Sequence, residues 1–319
     1  MIRMQPLALI LAFAILPVAA AAQTLTAAEA IQRVQQRYPA PMQSNTVDTL
    51  KAGDAVTPVT GIATTFLATM DVLREANRRH LNLVITHEPT FYNHLDETSF
   101  FANDPVYEEK LAFIQQHHMI VFRLHDGIHA HSPDTIALGL IHDLGWQGYS
   151  KPGDPFSLTI PQTTLAKLAS KLQTKLKIQT VRVVGNPDLR ITHVAIRPGA
   201  SGLQKQVLAL REDVEVLIAG EASEWETVEY VRDASAQGRH KALILLGHQV
   251  SEEPGMEQCV DELRSLFPEL QVEHIRAGQP LWRPAAPPTS TERKMPPKAQ
   301  QAEAHSDRAE KEYGYGGQK

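Results

Sequence analysis

Three short segments combine histidine with carboxylate directly after an apolar run. They read Leu83-Val-Ile-Thr-His-Glu-Pro89, Val121-Phe-Arg-Leu-His-Asp-Gly-Ile-His-Ala-His131 and Leu243-Ile-Leu-Leu-Gly-His-Gln-Val-Ser-Glu252. Imidazole with carboxylate is the donor set of a divalent metal site. Neighbours on an extended chain point to opposite sides. His87 and Glu88 therefore serve one site only if the chain bends, or they address two ions. Pro89 fixes its own φ and biases Glu88 towards extended backbone. The middle segment places His125, Asp126, His129 and His131 within seven residues, more than packing needs. Gly127 allows a turn that gathers His125 and His129, with His131 as a bystander. His248 and Glu252 are four apart and share a face if that stretch is helical. Pro254 then suits the first turn of a following helix. Taken singly, each pair also reads as a polar loop leaving a strand. The same syntax three times favours a common site.

The elements that must position these groups alternate. The apolar runs read as buried strands of a mostly parallel sheet, and ligands in open α/β sheets bind at the carboxyl ends of strands. The spacing predicts helices over 26–38, 69–80 (with Thr69 as N-cap), 105–118 and 132–144, between strands over 59–63, 81–86 and 119–124. Gly145, Gly148, Pro152, Gly153, Pro155 and Pro161 make the next stretch loop-like, which places a domain boundary there. Helices over 163–176 and 224–237 and strands over 180–184, 191–196 and 214–218 follow, then a strand over 242–246, a helix over 254–266 and a strand over 271–275. The fold class is α/β: two domains with mostly parallel sheets and a metal site at strand C-terminal ends. Residues 23–150 with 240–283 form the metal-binding domain, and residues 151–239 form the smaller second one.

The chain of 319 residues carries 31 basic and 36 acidic side chains, a net charge of −5, with 6% aromatics. Such a balance offers no footprint for nucleic acid. Arg3, the apolar stretch 7–18 and Ala20-x-Ala22 form a signal-peptide pattern ending at residue 22. The apolar core is too short for a comfortable membrane span. The expectation is an exported protein, periplasmic or extracellular, with no membrane association after cleavage. Cys259 is the one cysteine and sits in a helical pattern, so it reads as a small buried hydrophobe. Residues 284–319 lose apolar residues and read as a disordered tail. Walker A, G-x-G-x-x-G, G-x-S-x-G and H-E-x-x-H patterns are all missing. Gly199-Ala-Ser-Gly202 opens a helix and could offer backbone amides to an anion.

With these motifs in hand, the chain resembles the Nif-three-like dinuclear metal-centre family, whose members are also labelled GTP cyclohydrolase I type two homologs. The resemblance runs from about Asn45 to Trp282. It includes Val59-Thr-Gly-Ile62, Leu83 to Pro89, Val194-Ala-Ile-Arg-Pro-Gly-Ala-Ser-Gly202, Leu217-Ile-Ala-Gly-Glu221 and Gly247-His-Gln-Val-Ser-Glu-Glu-Pro-Gly255. In the family the first strand ends in His-His-Pro. Here the first histidine is His87, and Glu88 replaces the second. The family's His-Thr-Asn-Leu-Asp, whose Asp bridges two metals, reads His125-Asp-Gly-Ile-His129. The last motif, Gly-His-x-x-x-Glu, is intact as His248 and Glu252, and a further family histidine appears as Trp225. A carboxylate and an imidazole have thus changed places between two ligand positions. Neutral imidazole coordinates one metal, so bridging falls to Glu88, Asp126 or Glu252, or a single ion binds.

The implied ligand set is His87, Glu88, His125, His129, His248 and Glu252, holding one or two divalent ions. Zn, Fe, Mn, Co and Ni are all compatible. The resemblance also implies a homo-oligomer, hexameric in the family. The functional expectation is a metal-dependent hydrolase or cyclohydrolase-like enzyme acting on a small molecule through metal-activated water. Glu252 or Glu88 serves as base, and Glu221 touches substrate or supports a ligand. The alternative is a non-catalytic metal-binding or scaffold protein.

Overall fold

The computed structural model describes residues 24–42, 45–211 and 213–284. The expected signal peptide and, apart from Pro284, the expected tail lie outside the described residues. The described residues up to Trp282 group into one compact unit.

In chain order the elements are α1 (Ala27–Arg37), β1 (Leu50–Ala52), β2 (Gly61–Thr65), α2 (Met70–Arg78), β3 (Leu83–Thr86), α3 (Pro105–Gln116), β4 (Ile120–Arg123), α4 (Asp126–Ala130), α5 (Thr135–Leu144), β5 (Ser150–Lys151), β6 (Asp154–Thr164), α6 (Leu165–Lys175), β7 (Arg182–Val184), β8 (Arg190–Arg197), α7 (Leu203–Ala209), β9 (Val216–Ala219), α8 (Glu229–Ala236), β10 (Ala242–Leu245), α9 (His248–Leu266) and β11 (Gln271–His274). The side chains of Thr26 and Thr69 cap α1 and α2 by accepting from the backbone N–H groups of Glu29 and Val72.

The first sheet has the order β1-β4-β3-β2-β11, with β4, β3, β2 and β11 parallel and β1 antiparallel at the edge. Its inner strands β2, β3 and β4 are buried on both faces, as their mostly apolar runs anticipate. Leu83, Ile85, Ile120 and Phe122 face a core shared with α1 and α9, while Val84 and Val121 face the opposite core with α2. That alternation is the period of two expected of a strand.

The second sheet, β5-β6-β8-β9-β10-β7, is mixed: β8, β9 and β10 are parallel, and the pairs involving β5, β6 or β7 are antiparallel. Two sequence expectations change here. The loop-like stretch before residue 161 contains β6, an eleven-residue strand. Pro161 is accommodated where the β6–β8 register shifts, between Thr159 and Thr163, so a proline that argues against a strand is absorbed by an irregularity. The run Ala242–Leu245, assigned from sequence to the metal-binding half, pairs with β9 and β7 in the second sheet. An apolar run buried on both faces suits a central position in either sheet, and its period cannot say which. The chain passes from the second sheet to the first at Gly247.

Helices α5 and α9 join the two layers. Ile136 of α5 lies in the first core, and Leu140, Ile141 and Leu144 lie in the second. The helices cross at Gly139 and Gly255. A Cβ added at Gly139 would stand 2.4 Å from the Gly255 Cα, so both positions need a hydrogen for side chain.

Candidate metal centre

The three segments do converge, each through its own local device. His87 and Glu88 leave the end of β3. Their N–H groups donate to the carbonyls of Thr65 (3.1 Å) and Phe66 (2.9 Å), which holds this exit against the end of β2. His125 occupies the N-cap position of α4, and His129 lies one turn later. A short helix, rather than a glycine turn, therefore gathers these two histidines. The Asp48 carboxylate accepts from the N–H groups of His125 (2.7 Å), Asp126 (2.8 Å) and Gly127 (2.7 Å). It satisfies donors that a helix start leaves unpaired. Gly127 is required for space: a Cβ there would meet the Tyr38 carbonyl oxygen at 2.1 Å. Gly247, at φ 103°, turns the chain from β10 into α9, whose first turn carries His248 and Glu252 on one face. Pro254 lies inside α9, not at the start of a separate helix. It costs one backbone hydrogen bond, and the helix continues because Ser251, Glu252, Gly255 and Met256 are buried in its packing.

Two overlapping donor groups result. His87, His125 and His129 offer ligand atoms within 4.8 Å of one another, and so do His87, Glu88 and Glu252. The rings of His87, His125 and His129 stand 4.8 to 4.9 Å apart, centroid to centroid. Each of these histidines has its Nδ1 occupied. The partners are the Leu124 carbonyl (3.1 Å), Asp126 (2.9 Å) and Asp134 (2.9 Å), respectively. An acceptor on Nδ1 fixes the tautomer and leaves the Nε2 lone pair for a metal. Glu252 Oε2 lies 3.3 Å from His87 Nε2 and 2.9 Å from His248 Nε2, and Glu252 Oε1 lies 3.9 Å from His129 Nε2. His87 Nε2 and Glu252 Oε2 are nevertheless buried without a hydrogen-bond partner among the described residues. Two orphaned buried atoms of this kind call for an explanation, and a divalent cation satisfies both.

Glu88 is held differently. Its Oε2 accepts from Arg123 Nη2 at 3.2 Å, and its Oε1 lies 3.3 Å from His248 Nε2. Arg123 is fully buried at the end of β4, and it also donates to the carbonyls of His87 and His94. On the far side, His248 Nδ1 approaches Glu221 Oε1 at 3.5 Å. Gly199 backs directly on Glu252, because a Cβ there would lie 1.9 Å from Oε1. The Gly199 N–H donates to Ser251 Oγ at 2.9 Å. The Gly199–Gly202 segment thus serves as a close-packed wall for the site, and α7 behind it has only seven residues.

The electrostatics suit cation binding. Burial and the neighbouring His87 push His125 down to about 4, which keeps it neutral. Burial opposes charge on His248, but the carboxylates of Glu252 and Glu88 outweigh it and raise that imidazole to about 10. Burial also works against ionised Glu252 and Glu88, yet the surrounding imidazoles hold both carboxyls below the usual range. A cavity of about 1260 Å³ opens against the cluster, lined by Glu88, His248 and Glu221 beside Phe66, Met70, Tyr92, Lys110, Arg182 and Trp282. That volume admits a small molecule.

The family model for Duf34/NIF3 (NGG1p interacting factor 3) matches residues 25–279. This chain belongs to the DUF34/NIF3 family. Among curated proteins, a GTP cyclohydrolase 1 type 2 homolog of Clostridium acetobutylicum is 27% identical over 218 residues, spanning 65% of this chain and 77% of that protein. Among solved structures, the Staphylococcus aureus hypothetical protein SA1388 superposes with a TM-score of 0.64 at 19% identity, covering 79% of this chain and 96% of that one. The protein ybgI, of unknown function, does so with a TM-score of 0.64 at 22% identity, covering 80% and 100%. Both likenesses concern the fold.

In this NIF3-family chain the six sequence-selected residues lie around one locus: His87, His125, His129 and Glu252 together, with Glu88 and His248 on the cavity side. Asp126 turns away to orient His125 and to accept from Thr46 and Val47. His131 pairs with Arg37 outside the donor groups, and Trp225 is 82% exposed. His94 packs against His125 with ring centroids 5.9 Å apart. Asp48 and Asp134 carry no signal in the sequence, and Gly199 enters there only as part of a possible anion-binding turn. A basic residue inside an otherwise apolar strand was the one hint at Arg123.

Proposed function

We propose that this NIF3-family protein is a metal-dependent hydrolase acting on a small molecule bound in the cavity beside the cluster. One observation carries the reading. Three imidazoles, His87 fully buried and His125 and His129 half-buried, each have Nδ1 engaged and Nε2 directed into a locus that also holds the orphaned Glu252 oxygen. A divalent ion in such a locus supplies Lewis acidity and an acidified water near neutral pH. The chain's own groups do the remaining work. His87, His125, His129 and Glu252 would hold the ion. Glu88 and His248 face the cavity and can pass a proton between Oε1 and Nε2, which suits general acid–base chemistry. Glu221 at the cavity wall steadies His248 Nδ1.

The test is elemental analysis of untagged protein purified without chelator, followed by turnover assays on phosphoesters, amides and cyclic nucleobase-like compounds. About one or more equivalents of metal are expected, with turnover lost on chelation and restored by metal. Bound metal with no turnover on any class would favour the non-catalytic metal-binding reading. Protein with no affinity for metal would end both.

The proposal includes export to the periplasm or beyond and assembly into a homo-oligomer, a hexamer by family resemblance. The signal-peptide pattern supports export. Intact mass of the exported protein is expected to place its first residue at or near Gln23, and a cytoplasmic product retaining Met1 would contradict it.

A further inference from the structure

The two donor groups share His87, which can serve only one ion. The His87 ring is fully buried, and its Nδ1 faces the Leu124 carbonyl at 3.1 Å. A carbonyl only accepts, so Nδ1 carries the hydrogen and Nε2 carries the single available lone pair. One lone pair binds one ion. The triad of His87, His125 and His129 and the triad of His87, Glu88 and Glu252 therefore cannot both draw on His87, and a second ion would have to rest on Glu88 and Glu252 with His248, whose Nε2 lies 3.3 Å from Glu88 Oε1 and 2.9 Å from Glu252 Oε2.

Glu88 decides whether that second ion can bind. Its Oε2 is bonded to Arg123, and its Oε1 faces His248 Nε2 at 3.3 Å and His125 Nε2 at 3.7 Å. Arg123 cannot give up its proton, and its planar fork is held in place by the carbonyls of His87 and His94. The guanidinium thus brings to Glu88 the compensating positive charge that a second ion would otherwise supply. The imidazole triad has no such competitor. Its Nδ1 atoms are engaged with acceptors, and Glu252 stands beside the Nε2 atoms of His87 and His129.

We infer that this centre binds a single divalent ion, held by Nε2 of His87, His125 and His129 with a Glu252 oxygen, and that Arg123 takes the place of a second cation by holding Glu88. The centre differs in this from a dinuclear one. Glu88 and His248 are left outside the ligand set, on the cavity side, where they can meet a substrate. The inference rests on the reading that the cluster binds metal.

Titration of the chelator-treated full chain with cobalt(II), followed by optical absorption and calorimetry, tests it. Absorption is expected to saturate at about one equivalent per chain. Glu88→Gln should keep that equivalent with affinity within about threefold, whereas His125→Ala and His129→Ala should each lose more than about 100-fold, beyond the 10- to 100-fold cost of losing a mere supporting contact. Arg123→Lys keeps a cation beside Glu88 and should also stay at one equivalent. Saturation at two equivalents would overturn the inference while leaving metal binding intact. So would loss of the single equivalent in Glu88→Gln, since Glu88 would then be a ligand. A wild-type chain that takes up no cobalt would instead defeat the metal-centre reading itself.

Discussion

Replacing His87 with alanine is expected to lower metal affinity by more than about 100-fold, a larger loss than removing a supporting contact causes. It should also destabilise the metal-free protein by roughly 2–4 kcal/mol, through a cavity and an unmatched buried charge. His87 is fully buried, its Nε2 belongs to both donor groups, and its Nδ1 anchors to Leu124. Glu252, 3% exposed, would lose the imidazole that stands 3.3 Å away. His117→Ala is the control. That residue caps the end of α3 and contacts Asn77 and Phe113, outside both donor groups. Metal titration and chemical denaturation of the two variants provide the comparison. Equal metal retention would remove His87 from the site.

Gly127→Ala is expected to be similarly severe for a different reason. The new methyl would meet the Tyr38 carbonyl at 2.1 Å and Asp48 Oδ2 at 3.1 Å. The first contact is backbone, so it cannot be relieved by rotating a side chain. Tyr38 is itself tied to α9 by its hydroxyl, which donates to Glu262 at 2.8 Å. Overpacking of this kind costs about 3 kcal/mol, or a fall of roughly 5–10 °C in Tm for a chain of this size. Since α4 carries both His125 and His129, metal affinity should fall with stability. Gly148→Ala, with nothing within 4 Å of its added Cβ, should leave Tm within about 1 °C. A Gly127→Ala protein as stable as the Gly148→Ala control would refute the packing argument.

The two substitutions separate kinds of information in the chain. His87 stands out in the sequence because a ligand-type residue follows four buried strand residues. Gly127 looks like a turn glycine, and only the position of Tyr38 from another helix reveals that it is a spacing requirement. Arg123 shows the same limit. In the sequence it interrupts an apolar run, and in the structure it fills the interior between Glu88, His87 and His94.

What the sequence determined by itself is local: the alternation of strands and helices, the cap at Thr69, and the histidines and carboxylates at three strand ends. Periodicity and residue chemistry act over a few residues, so these were legible without coordinates. The tertiary structure decided which sheet receives β10, how β6 forms across its prolines, and which nitrogen of each histidine is free. It also decided that Glu88 answers to Arg123. Most of those features depend on partners far away in the chain, as with His87 against Leu124 at 37 residues and Arg123 against Glu88 at 35, and a one-dimensional pattern does not encode which distant groups will share one buried volume.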